Sequence, residues 1–189
     1  MAQRANREPL DDAAVVARVL NGDVDAFELL VERHSASVRA IVAHHVSRFA
    51  AADVANDAFV SAFLALGSYA PTHAFERWLA RITLRTCADF WRRRRTTARG
   101  SADGLEELVA PPPPNADDRE LCDWALAHLT IEDRQVLTLT YFESRSVSEC
   151  AELLSWSESK VKVRAHRARA RLRRILRATV ESPERRAQP

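Results

Sequence analysis

The stretch from Ser157 to Leu176, SESKVKVRAHRARARLRRIL, carries eight Lys or Arg from Lys160 onward and no acid after Glu158. Cations at that density neutralise a polyanion, and the rest of the chain offsets them. Thirteen acids stand against three Arg between Gly100 and Glu158, and the formal net charge is only +2. Such asymmetry points to one surface that meets a polyanion and another that does not. A merely solvated helix face would mix signs to gain i,i+4 pairs. A second basic set, Arg77, Arg81, Arg85 and Arg92, shares one face of another helical stretch beside Phe75 and Trp78. Arg beside aromatics suits a DNA backbone and unstacked bases. The aromatics at helical spacing read first as core, which leaves Tyr69 and His73 of the preceding loop as the better base contacts. The third set is acidic: Asp53, Asn56 and Asp57, followed on the same face by Val60 and Leu64. It is either a protein interface or a face packed on a neighbouring helix.

These are binding chemistries. No nucleophile–base constellation, phosphate loop or metal cluster stands out, so no catalysis, metal or cofactor is expected. Cys87, Cys122 and Cys150 lie far apart without a CxxC, and His44 and His45 lack ligand-spaced partners. No apolar run follows the first charges and no window approaches the roughly 18–20 apolar residues of a membrane span. A cytoplasmic protein without membrane insertion, monomeric when free, is the expectation.

The elements that must position these sets are helical. The chain has 189 residues, 47% hydrophobic, with only four Gly, which favours an all-α fold. Asp11 to Asn21 reads as a helix stopped at Gly22. Asp23 reads as the cap of a long helix with Phe27, Leu30, Val31, Val38, Ile41 and Val42 on one stripe. A third helix, about Ala51 to Leu66, has a core stripe of Ala55, Ala58, Phe59, Ala62, Phe63 and Leu66. A fourth runs from about Ala74 to Arg94, with Phe75, Leu79, Ile82 and Thr86 inward. The segment TTARGSADGLEELVAPPPPNADD, with its four consecutive Pro, reads as a linker. Two small helical domains follow, residues 10–95 and 119–177, joined by a flexible linker over 96–118 and ending in a tail over 178–189.

In the second block, Thr130 with Asp133 and Ser146 with Glu149 read as capping boxes. SWS makes a tight turn and Ser157 caps the last helix. Two short helices joined by such a turn, the second one basic, form a helix-turn-helix. Val161, Ala165, Ala168, Leu172 and Ile175 fall on its inner side. Ser159, Lys160, Lys162, Val163, His166, Arg167, Arg169 and Arg171 remain as the outward set, suited to a major groove. Arg164 lies near the inner stripe, as a structural partner for Glu149 or Glu152.

ALAHLTIEDRQVLTLTYFESRSVSECAELLSWSESKVKVRAHRARARLRRIL resembles region four of bacterial sigma factors, through Arg134, Val136, Leu137, Glu149, Ala151, Glu152, Val161, Lys162, Arg164, Arg167, Ala168 and Arg169. VLNGDVDAFELLVERH, ADVANDAFVSAF and FERWLARITLRTCADFWRRRR resemble region two of the extracytoplasmic-function class, which holds only regions two and four. Asn56-Asp57 replaces the family's Gln-Glu, Arg85 its usual Asn, Lys160 its usual Thr, and Ser155 the Gly of its recognition turn. That last turn must therefore manage without the residue that adopts a left-handed conformation most easily.

The resemblance implies a sigma factor of RNA polymerase that binds the core enzyme, directs it to promoters and helps open the duplex. Core polymerase would be met through the β′ clamp helices, on Asp53, Asn56, Asp57, Val60 and Leu64, and through the β flap. The −10 element would be met by Tyr69, His73, Arg77, Trp78, Arg81, Arg85 and Arg92, and the −35 element by the outward set of the last helix. The acidic linker would thread a channel that RNA later occupies, and an anti-sigma protein is a candidate partner. The alternative is a helix-turn-helix regulator that acts without replacing sigma. It would leave the Arg face and the Asp53–Asp57 patch without a task. An enzyme acting on nucleic acid is the more remote reading.

Overall fold

The computed structural model describes residues 10–100 and 118–180. Most of the expected linker and the last nine residues of the expected tail lie outside that range. Among the described residues the chain is helical throughout, with short 3₁₀ and π turns. Helix α1, Asp12–Leu20, is capped by Asp11, whose Oδ1 accepts the Ala14 N–H at 2.7 Å. Gly22, at φ +102°, turns the chain back. Asp23 does not cap the next helix as expected. Its carboxylate takes the Arg18 guanidinium at 2.6 Å, and a 3₁₀ turn at Val24–Ala26 leads into α2, Phe27–His45.

Helix α3 is Ala51–Ala65 and α4 is Phe75–Gly100. The fourth helix outruns its expected end at Arg94, because the two Thr and Ala98 tolerate helix and the first residue strongly opposed to it is Gly100. Helices α2, α3 and α4 pack on one another and α1 lies across α2. Their shared core holds Val15, Leu30, Val38, Val42, Val54, Ala58, Leu66, Phe75 and Leu79. The expected stripes of α3 and α4 hold in the main, but burial extends beyond them to Val54 on α3 and to Ala80, Thr83, Leu84, Cys87 and Ala88 on α4. Phe63 stands partly exposed, edge-on to Phe27 at 5.2 Å.

The second block comprises α5, Asp118–Ala127, α6, Ile131–Leu137, α7, Val147–Leu154, and α8, Glu158–Val180. Helix α6 does not run regularly to Phe142. It widens into a π turn at Thr138–Phe142, closed by the Glu143 N–H on the Thr138 carbonyl at 3.1 Å. Ser144, at φ 52°, then reverses the chain. Helices α6 and α7 both pack on α8 around Val136, Leu137, Leu139, Cys150, Val161 and Ala168. The two blocks are not separate in space. Ile41, Ala80 and Leu84 of the first block belong to the same buried cluster as the core of the second.

Candidate nucleic-acid and protein interfaces

Helix α8 is held by its inner face, which leaves its outer face free to bind. Val161 and Ala168 are fully buried, and Ala165, Leu172 and Ile175 half-buried, at the spacing the sequence predicts. The Ser157 hydroxyl accepts the Lys160 N–H at 3.2 Å and opens the helix. Upstream, the Ser146–Glu149 capping box is complete. The hydroxyl and amide of Ser146 hold the Glu149 carboxyl below its ordinary pKa. Ser155 occupies the left-handed region at φ 55°, ψ 44°. The turn is closed by the Trp156 N–H on the Ala151 carbonyl at 2.8 Å. A serine there carries a strain that glycine would avoid.

The inner anchor is electrostatic as well as apolar. Asp133, with no exposed surface, binds Arg164 through Oδ1 at 2.5 Å and Arg171 through Oδ2. Arg164 also reaches Glu132 at 2.9 Å and the Thr130 hydroxyl at 3.1 Å. Two expectations change here. Arg164 pairs with Glu132 and Asp133 rather than Glu149 or Glu152. The Thr130 box is half-formed, because Thr130 accepts the Asp133 N–H but the Asp133 carboxylate turns to the two Arg. Arg171, expected in the outward set, is engaged by Asp133. The other members of that set, Ser159, Lys160, Lys162, Val163, His166, Arg167 and Arg169, are exposed. Lys160 sits over the Trp156 ring at 4.0 Å, Lys162 lies 3.6 Å from Glu158, and Arg169 donates to the Tyr141 hydroxyl at 2.9 Å. Val163, His166 and Arg167 lie near one another on the outer side.

On α4, Phe75, Trp78 and Tyr69 form one aromatic group with centroids 5.3–5.6 Å apart. Tyr69 is therefore less free than a loop residue promises, and its hydroxyl donates to the His73 carbonyl at 2.9 Å. Phe75 is buried, Trp78 half-buried and His73 exposed. Arg77 pairs with Glu152 of α7 at 3.0 Å and Arg92 with Asp89. Arg81 and Arg85 line a cleft of about 380 Å³ with Trp78, Leu154 and Ser155.

On α3, Asp53, Asn56 and Asp57 are exposed on one face, and Val60 and Leu64 beyond them are 58% and 78% exposed. The packing alternative for these two aliphatics does not hold in this structure. Asp57 lies 3.6 Å from Arg93, a pair open to solvent.

Sequence reasoning missed the polar residues between the blocks. His45, fully buried at the end of α2, bonds Glu143 at 3.2 Å. Burial lowers the His45 pKa, against the opposing pull of Glu143. Gln135 donates to the Leu84 carbonyl at 2.9 Å, and the Arg134 guanidinium lies 3.7 Å from the centre of the Trp91 ring. Cys87 and Cys150 are buried thiols. Burial pushes Cys87 up to about 12 and also raises Cys150, which keeps both protonated as packing groups. No group of His, Cys, Asp and Glu suited to a metal occurs among the described residues. No helix there is long and apolar enough to cross a membrane.

Comparison with known proteins adds an independent finding. Residues 30–97 match the family model for Sigma-70 region 2, and residues 123–172 that for Sigma-70 region 4. The ECF RNA polymerase sigma factor SigM of Mycobacterium tuberculosis is 33% identical, over 90% of this chain and 87% of its own. The ECF RNA polymerase sigma-E factor of Haemophilus influenzae is 28% identical, over 86% and 93%. Among solved structures, CnrH in complex with the cytosolic domain of CnrY aligns with TM-score 0.56 and 29% identity, over 90% of this chain and 99% of that one. The sigma factor RpoE of Bartonella quintana, bound to the anti-sigma factor NepR, shares the fold with TM-score 0.58 at 20% identity, over 80% and 96%.

Proposed function

The chain belongs to the ECF sigma factors of bacterial RNA polymerase, which direct promoter-specific transcription, and from that premise we propose how its surfaces divide the work. The outer face of α8 enters the major groove of the −35 element. Lys162, Val163, His166 and Arg167 lie over base edges, with Ser159, Lys160 and Arg169 on flanking phosphates. Arg171 and Arg164 act from behind, fixing through Asp133 the angle at which α8 is presented. The observation that carries this division is that the inner cations of α8 are tied to a buried carboxylate while Val163 and Arg167 are exposed.

Helix α4 serves the −10 element, with Arg81, Arg85 and Arg92 on phosphates. Tyr69, His73 and Trp78 at its mouth serve the opened strand, and Arg77 joins them once released from Glu152. The α3 face of Asp53, Asn56, Asp57, Val60 and Leu64 docks on the β′ clamp helices, where exposed acids beside aliphatics suit a basic partner surface with an apolar centre. The second block meets the β flap. The factor acts by binding alone and brings no catalytic group, metal or cofactor to the reaction. An anti-sigma protein is the antagonist proposed for it; the similar CnrH is in complex with the cytosolic domain of CnrY. It acts beside polymerase in the cytoplasm.

The test is reconstitution. Core polymerase is incubated with the chain and genomic DNA fragments, and the bound fragments are sequenced. One shared pair of motifs at fixed spacing, with transcripts starting downstream, is the expected result. DNA bound without polymerase, as a palindrome, would instead favour the stand-alone regulator.

A further inference from the structure

Helix α8 has two edges where its inner and outer faces meet, and each edge carries a cation tethered to an aromatic residue outside the helix. Lys160 and Arg169 are nine positions apart. At about 100° per residue that is about two and a half turns, so the two side chains leave the helix on opposite edges, about 13 Å apart along its axis. Val163, His166 and Arg167 lie between them on the outer side, all exposed. Val161, Ala165 and Ala168 lie between them on the inner side, against the core.

Both tethers end on fixed parts of the second block. The Lys160 ammonium sits 4.0 Å from the centre of the Trp156 ring. The Trp156 N–H closes the turn before α8 on the Ala151 carbonyl at 2.8 Å, and the ring packs on the second core. Arg169 donates through Nη1 to the Tyr141 hydroxyl at 2.9 Å. Tyr141 stands in the π turn, beside the buried Thr138 and Leu139, and the Thr140 hydroxyl ties that turn to the Val136 carbonyl at 2.7 Å. Neither tether consumes its cation. A ring face covers one side of an ammonium, and the hydroxyl takes a single guanidinium donor of several. The remaining donors are free for phosphate, and a long side chain already held in place loses less rotamer freedom on binding.

A helix seated in a major groove about 12 Å wide has the backbone of one strand along each edge. We infer that Trp156 and Tyr141 are positioning residues for DNA, holding Lys160 and Arg169 so that α8 grips one phosphate of each strand. This rests on the assignment of the outer face of α8 to the −35 element. Trp156 serves one strand through Lys160, and Tyr141 serves the other through Arg169.

The test scans the −35 duplex with single methylphosphonates, each of which removes one backbone charge. The complex holds the full chain, core polymerase and a promoter fragment recovered by the sequencing described above. With the parent chain, one substitution on each strand should weaken binding about tenfold. Lys160→Ala should erase the effect on one strand and Arg169→Ala that on the other. Trp156→Leu should reduce the Lys160 effect alone, by about two- to fivefold, and Trp156→Phe, which keeps a ring there, should restore most of it. Tyr141→Phe, which removes only a hydroxyl from a half-exposed ring, should reduce the Arg169 effect alone. In the free chain, the Lys160 methylene protons should show an upfield ring-current shift by NMR that Trp156→Leu abolishes.

Both effects on one strand would overturn the grip across the groove. Equal loss of the two effects in Trp156→Leu would be a general loosening of α8 and would overturn the positioning role of Trp156. An unchanged scan in Tyr141→Phe would do the same for Tyr141, and an absent upfield shift would overturn the Lys160 tether. If no phosphate on either strand mattered to the parent chain, the assignment of α8 to the −35 element would fail instead, and the shift in the free chain would still decide the tether.

Discussion

Asp133→Ala should be among the most damaging single substitutions in the second block that remove no apolar contact. The carboxylate has no exposed surface and takes Arg164 at 2.5 Å together with Arg171. Removing one partner of a fully buried pair costs about 3–5 kcal/mol, because the other charge is left without compensation. That figure must be reduced here. The Arg164 and Arg171 side chains keep 29% and 45% of their surface, so both can turn to water when the acid is gone. A loss of about 2–3 kcal/mol remains once this escape is allowed for. For a chain of this length it lowers the midpoint by about 4–12 °C. Glu132 is the built-in control. It binds the same Arg164 at 2.9 Å from an exposed position, so Glu132→Ala should cost no more than about 1 kcal/mol. Urea titration followed by circular dichroism measures both. In a −35 duplex assay, Asp133→Ala should weaken binding to all sequences alike, since it loosens the presentation of α8 and touches no base. A stability loss for Asp133→Ala within about 0.5 kcal/mol of that for Glu132→Ala would refute the reasoning, because burial would then not decide the worth of the pair.

Arg167→Ala should relax preference at one −35 position by about 1–3 kcal/mol; sequencing of bound promoters reads it, and a uniform loss across sequences would remove Arg167 from the base edges. Arg85→Ala in holoenzyme should reduce the salt slope of promoter binding by about one unit, whereas an unchanged slope would place Arg85 away from phosphate. Reversing charge at Asp53 and Asp57 together should weaken core polymerase binding about tenfold, or about 1.4 kcal/mol, with helicity intact. Unaltered affinity in a core titration would move the docking face off α3. Acid should destabilise the fold through His45, which faces Glu143, His44 and Arg134, with Arg145 beside Glu143. Burial lowers its pKa from 6.5 in the folded state, so that state binds fewer protons than the unfolded one. Its contribution is complete above pH 6.5 and declines as pH falls toward the lowered value, with a slope of at most about 1.4 kcal/mol per pH unit. His45→Gln should flatten that limb in melting curves between pH 7 and 5; an equally steep limb would clear His45.

What the sequence discloses depends on whether a contact is local. The inner stripe of α8 was legible because Val161, Ala165, Ala168, Leu172 and Ile175 recur at helical spacing, and burial follows spacing. The Ser146 box was legible because both halves lie within one turn, and Ser155 because a helix-turn-helix needs a left-handed residue at that place. Arg164 shows where such reasoning stops. Glu149 and Glu152 lie on the helix that precedes α8 in the chain, yet α6 crosses α8 and brings Glu132 and Asp133 closer. Asp133 was misread for the same reason: three residues after Thr130 it has the position of a capping partner, and only the crossing helix reveals a stronger claim on its carboxylate.

The polar contact between the two blocks was invisible for a further cause. Arg134, Gln135 and Glu143 have the composition of a solvated surface, and hydropathy assigns them outward. Arg134 and Gln135 are buried and the Glu143 side chain nearly so, because each finds a specific partner: Gln135 the Leu84 carbonyl and Glu143 His45 on the other block, and Arg134 the Leu126 and Ala127 carbonyls of its own block, with the Trp91 ring across from it. Burial of that kind is a property of pairs, so no periodicity in one helix encodes it. It also explains why Arg77 reads as a DNA contact in sequence yet pairs with Glu152 in this structure. A guanidinium on this edge can bind a phosphate or the α7 carboxylate but not both at once, so a contact of Arg77 with DNA would require that pair to part.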